Sequence, residues 1–138
     1  MNVIVTDRGF APDDWTAPVP GLAEASESAD AAELPADADP QAALAALPRA
    51  RLLRIRFESF ADGRCFTLAR RLREAGFSGR LRAAGHVIAD QYAMARRAGF
   101  DEVEIDASLA ARQPESDWLA RADWRRLDYQ SRLRAPPA

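Results

Sequence analysis

Two short stretches concentrate side chains able to hold a small anion: Ser59-Phe60-Ala61-Asp62-Gly63-Arg64, and Gly85-His86 with Asp90-Gln91. An arginine beside a glycine at a helix start offers a guanidinium fork next to free backbone N–H groups, an arrangement suited to an oxyanion. His86, the single histidine, joins this rim but cannot alone make a multi-histidine metal site. Each residue also has a plainer reading. Ser59 or Asp62 serves as a helix N-cap, Gly63 as a turn residue, Asp90 as a first-turn carboxylate, and His86 as a hydrogen-bonded structural group. Arg64 is the least explained by capping, because a cation opposes the partial positive charge of a helix N-terminus. Asp62, Gly63, Arg64, His86, Asp90 and Gln91 are therefore the candidate ligand or partner face. Arg70, Arg71 and Arg73 form a candidate basic docking surface, and Cys65 reads as a core residue. No metal site is expected.

Local patterns say which elements carry these groups. Leu53, Ile55 and Phe57 alternate with arginines, which predicts a strand near 52–57. Cys65, Leu68, Ala69 and Leu72 share one face of a helix that Gly76 closes. Leu81 and Ala83 mark a strand near 80–84, and Ile88, Tyr92, Ala95 and Ala98 a second helix closed by Gly99. Val103 and Ile105 mark a third strand near 102–105. Ala-Gly-Phe recurs at 75–77 and 98–100, each time just before a strand. Single helices between strands imply parallel pairing by right-handed crossover. The expected fold is a small single-domain α/β protein with a parallel sheet built from repeated βα units and helices packed on it. In such a sheet the loops carrying Asp62-Gly63-Arg64 and His86 emerge at one edge, where ligands bind if the strand order reverses.

Towards the N-terminus, Val3-Ile4-Val5 and a turn at Asp7-Arg8-Gly9 predict an edge strand or hairpin within 1–15. Residues 16–39 are rich in Ala, Asp, Glu, Pro and Ser and read as an acidic loop, partly disordered, with a weak strand near Ala31 to Leu34 left open. Asp39-Pro40 starts a helix with Ala43, Leu44 and Leu47 on its apolar face, opening an α/β core over 40–128. A last helix over Ser116 to Arg126 turns Trp118 and Leu119 inward, and 129–138 is a fraying tail.

Composition removes several chemistries. All 19 basic residues are arginine, so a Schiff-base lysine and a P-loop lysine are both excluded. One cysteine excludes an internal disulfide and fits a reducing compartment. G-x-S-x-G, G-x-G-x-x-G, H-E-x-x-H and Walker A patterns are absent, and no cofactor motif is evident. No basic leader followed by a long apolar stretch is present, so a cytoplasmic protein with no membrane partner is expected. Residues 1–50 hold nine acids against two arginines, whereas 51–97 hold eleven arginines against four acids. That basic middle suits an acidic protein partner or a small oxyanion. Without interleaved exposed aromatics it does not suit nucleic acid.

The string F-x-D-G-R (Phe60, Asp62, Gly63, Arg64), A-R-x-L-R (Ala69, Arg70, Leu72, Arg73), G-x-L-R-A-x-G, D-Q and G-F-D-E resembles the central block of domain of unknown function 934, a bacterial family. Members are typically encoded beside assimilatory sulfite reductase, and some are described as oxidoreductases of sulfite reduction. The resemblance implies an accessory of assimilatory sulfite reduction, a non-catalytic partner of sulfite reductase or of its electron donor. The alternative is a small oxyanion- or cofactor-binding protein, an oxidoreductase included, that uses the polar rim. Cys65 stands where members often have glycine or another small residue, which speaks against a catalytic thiol.

Overall fold

The computed structural model describes residues 2–127. The expected tail, 129–138, lies outside the described residues. Among the described residues no helix is long and apolar enough to cross a membrane.

The strands are β1 (Asn2–Thr6), β2 (Gly9–Pro12), β3 (Ala31–Leu34), β4 (Leu52–Phe57), β5 (Arg80–Gly85) and β6 (Glu102–Asp106). The helices are α1 (Pro40–Ala46), α2 (Arg64–Glu74), α3 (Tyr92–Ala98), α4 (Ala107–Arg112) and α5 (Glu115–Leu119), with 3-10 turns at Ala89–Gln91 and Trp124–Leu127. One mixed sheet runs β2-β1-β6-β5-β4-β3. Strands β3 to β6 are parallel, and the N-terminal hairpin joins β6 through antiparallel β1. The N-terminal strand thus lies inside the sheet, with β2 at the edge.

Two repeated caps explain the βα cadence. Gly76 and Gly99 end α2 and α3 with φ of +106° and +116°, a region that glycine enters without steric cost. The N–H of Phe77 then donates to the carbonyl of Leu72, and that of Phe100 to Ala95, both at 3.0 Å. Arg73 and Arg96, each three residues before the glycine, donate onward to the Phe77 and Phe100 carbonyls at 3.0 and 2.6 Å. One short sequence device therefore stops the helix and aims the chain into the next strand.

All helices contribute to a single apolar core on one sheet face. Leu53, Ile55, Phe57, Leu81, Val103 and Ile105 meet Leu68, Leu72, Tyr92, Ala95, Leu109 and Trp118 there. The parallel strands follow chain order, so right-handed crossovers step in one direction and leave every helix on the same side. The strand order of the parallel part never reverses, and the crevice expected at such a reversal does not form.

The other face is polar and largely dry. One register row reads Glu33–Arg54–Arg82–Glu102 across four strands. Arg82 is fully buried there and donates to Glu102 at 2.6 Å, Glu104 at 2.8 Å and Asp13 at 3.1 and 3.2 Å. Arg80 reaches Glu102 and Asp14 at 2.8 Å. Asp13 and Asp14 lie on the connection that leaves β2 at one sheet edge and enters β3 at the other. Arg80 and Arg82 are thus ion-paired beneath a strap, while Arg54 and Arg56 pair with Glu33 beside it.

Three expectations change in detail. Within the stretch read as loop, Ala31–Leu34 is a strand paired with β4, and the Pro20 carbonyl and Leu22 N–H bond the outer side of Glu33. Residues 107–112, which carried no expected helix, form α4, capped by Asp106 accepting from the Leu109 N–H at 2.7 Å. The helix expected over 116–126 is the shorter α5; Trp118 is buried, but Leu119 is 41% exposed.

Candidate functional site

The β4–α2 connection folds on itself. Asp62 accepts from Arg64 Nε at 2.9 Å and Nη2 at 3.0 Å, a two-pronged pair between residues two apart. Asp62 also accepts from the Arg64 N–H at 3.3 Å, yet it is not the N-cap. That position is Gly63, at φ −66°, where any residue fits and an added Cβ meets nothing. The Arg64 guanidinium holds the Asp62 carboxyl below its usual range, and the carboxylate offsets a cation in the first turn of α2. Ser59 accepts from the Ala61 N–H at 3.1 Å.

The β5–α3 connection is tied to it by Gln91. Its Nε2 donates to the Phe60 carbonyl at 2.6 Å, and its Oε1 accepts from the Ile88 N–H at 3.1 Å. Asp90 instead pairs with Arg121 at 2.7 Å on an exposed surface. The His86 N–H donates to the Phe57 carbonyl at 2.9 Å, and its ring stands edge-on to Phe60 with centroids 5.5 Å apart.

The expected common rim divides into two hollows. Arg64 lines a groove of about 260 Å³ with Asp37, Thr67 and Arg71, between the β3–α1 loop and α2. His86 lines a separate cavity of about 270 Å³ at the carboxyl ends of β4, β5 and β6. Asp62, Gly63, Asp90 and Gln91 line neither hollow. Arg64 and His86 therefore line different hollows.

The three docking arginines also separate. Arg70 and Arg71 are exposed on α2. Arg73 is a clamp: it donates to the carbonyls of Phe77, Gly79 and Gly99 and pairs with Asp101 at 2.8 Å. These bonds hold the Arg73 guanidinium against its own fold, so Arg73 drops out of the expected basic docking surface. Cys65 is buried on the inner face of α2, where burial pushes its thiol up to about 12, far from a reactive thiolate. Among the described residues no group of three or more His, Cys, Asp or Glu side chains is placed to hold a metal ion.

The carboxyl-edge cavity brings in residues that the sequence reading missed. Asn2, Arg56, Glu58, Glu104, Asp106 and Arg112 join His86 in its lining. The alternation in "RIRFE" and "EVEID" was the available signal, since it sets Arg56 and Glu104 on the face away from the core. A family model described as bacterial protein of unknown function (DUF934) matches residues 31–138. The chain belongs to the DUF934 family. The matched span opens on β3 and takes in all four parallel strands, the α2 surface and most of the cavity lining. Among the cavity residues, Asn2 alone precedes it. No curated protein matches the chain.

Proposed function

We propose that this DUF934 protein is a non-catalytic partner in assimilatory sulfite reduction that docks on an acidic face of sulfite reductase or its electron donor through the outer surface of α2. The observation that carries the reading is the state of its arginines. Between residues 51 and 97 every arginine except Arg70 and Arg71 makes a hydrogen bond or ion pair with a neighbouring group. Those two are adjacent, exposed and unpartnered among the described residues. Their charge is available to a partner. The pathway comes from the sequence resemblance. The inert Cys65 supports a role that makes no use of the chain's one thiol.

The test is binding of the full chain to purified sulfite reductase and, separately, to its electron donor, measured against salt. Arg70→Glu with Arg71→Glu should slow association on the order of tenfold at low ionic strength and leave unfolding unchanged. No association with either protein, or association indifferent to salt and to both substitutions, refutes the reading. A second reading, a small-molecule or cofactor-binding protein, is favoured by the cavity at the carboxyl edge. Visible absorbance of protein purified from its native host tests its cofactor form, since bound flavin or haem would favour it over docking.

A further inference from the structure

On the polar sheet face the two rows nearest the carboxyl edge differ. In the row Glu33–Arg54–Arg82–Glu102 every strand supplies a long side chain. One row nearer the carboxyl edge, Arg56 and Glu104 flank Ala84. There β5 offers only a methyl group between two long walls. Gly85 follows with φ of +93°, and a Cβ added there would stand 2.6 Å from the Phe57 carbonyl oxygen. Backbone and a small side chain thus leave room for the cavity of about 270 Å³.

Its walls carry both signs of charge, and much of that charge is already answered. Glu104 accepts from Asn2, Arg54 and Arg82, and Arg56 donates to Glu33. Asp106 has one oxygen on the Leu109 N–H. Glu58 and Arg112, both exposed at the mouth, make no hydrogen bond or ion pair among the described residues, although Glu58 lies within reach of the Arg56 charge. Among the same residues the His86 ring nitrogens have no hydrogen-bond partner. Glu58 follows the last residue of β4 and Arg112 is the last residue of α4. Two opposite charges thus enter one hollow from different elements without pairing with each other.

We propose that this cavity binds a small zwitterion of the α-amino acid class, with its ammonium on Glu58 and its carboxylate on Arg112. The inference rests on the carboxyl-edge reading and not on docking by α2. A lone oxyanion would satisfy Arg112, the cation that Glu33 does not already hold as it does Arg56, while facing Glu58, Glu104 and Asp106. A lone amine would leave Arg112 unanswered. A ligand bearing both charges answers both walls, and Phe60 and Leu109 give its side chain an apolar border. The volume is just below the range of about 300–1,000 Å³ typical of drug-sized ligands, which fits a molecule of few heavy atoms.

The test is amide NMR of the full chain titrated with a panel of glycine, L-alanine, L-serine and L-cysteine, and with propionate, ethylamine and sulfite as single-charge probes. At least one amino acid should shift the Ala84, Gly85 and His86 amides saturably, with propionate and ethylamine at least tenfold weaker. Arg112→Ala and Glu58→Gln should each weaken that response about tenfold. Both positions are unpartnered, so the variants are expected to fold, and an unchanged unfolding transition checks it. Paired Arg70→Glu and Arg71→Glu should leave the response intact. Sulfite or propionate matching the best amino acid would overturn the zwitterion while keeping an edge site. A panel without saturable shifts would overturn both.

Discussion

Arg82→Met tests whether the polar sheet face is a dry ion network. Arg82 is fully buried and makes four hydrogen bonds to three carboxylates, of which Glu102 and Glu104 have side chains only 7% and 5% exposed. Removing one partner of a buried pair costs about 3–5 kcal/mol, chiefly because the remaining charge stays desolvated. Here Glu102 keeps Arg80, and Glu104 keeps Arg54 and Asn2, so the lower end, ~3 kcal/mol, is expected. For a chain of this length that is a large share of a total on the order of 7–20 kcal/mol. Urea denaturation should show a lower midpoint at unchanged slope. A double-mutant cycle with Glu102→Gln should give a coupling of at least ~1 kcal/mol, since the two side chains touch. Raising salt should rescue little, because buried pairs are weakly screened. A loss below ~1 kcal/mol that disappears in high salt would show the guanidinium to be solvated, and the strap reading would fall.

Leu72→Ala, beneath α2 in the core, should cost ~2–5 kcal/mol by urea midpoint; an unchanged midpoint would place the wrong helix face inward. Arg73→Ala should cost ~1.5–3 kcal/mol, since charged hydrogen bonds to three carbonyls are lost, whereas Arg70→Ala should stay within about 0.5 kcal/mol. Equal effects would refute the division between clamp and free surface. Acid should destabilise the fold in a defined window. Burial works against ionisation of Asp7, Asp13 and Glu33, but their arginine and other donors outweigh it and hold all three below ordinary values. The unfolded chain then binds more protons than the folded one as these groups titrate. Stability should be flat near neutrality and fall once pH drops below the ordinary carboxylate range of roughly 4, continuing down through the lowered folded values. A thermal midpoint that rises on acidification from pH 5 to 3 would contradict that sign.

Short-range physics was legible along the chain. The alternation of Leu53, Ile55 and Phe57, the helical face of Leu68 and Leu72, and the paired Ala-Gly-Phe caps each depend on residues within one or two turns of one another. They were enough to write the parallel units from β4 to β6, because backbone propensity and one-sided burial act locally. Ala31–Leu34 carried little such signal; pairing with β4 is what makes it a strand. Choices of partner were decided only in three dimensions. Asp13 reaches Arg82 across 69 positions, and Asp7 reaches Tyr92 across 85. Nothing local distinguishes these aspartates from the other acids of residues 1–50. The candidate site divides the same way. Polar residues at Asp62-Gly63-Arg64 and His86 were visible as residues at one sheet edge. Whether they shared a ligand depended on where Arg64 found its carboxylate and on Ala84 lying between Arg56 and Glu104. A guanidinium takes the nearest carboxylate that the fold brings to it, and a hollow opens where neighbouring strands set a small side chain between long ones. The hollow is settled by strand order and register, which bring together residues far apart in the chain, whereas Arg64 took a carboxylate only two positions away.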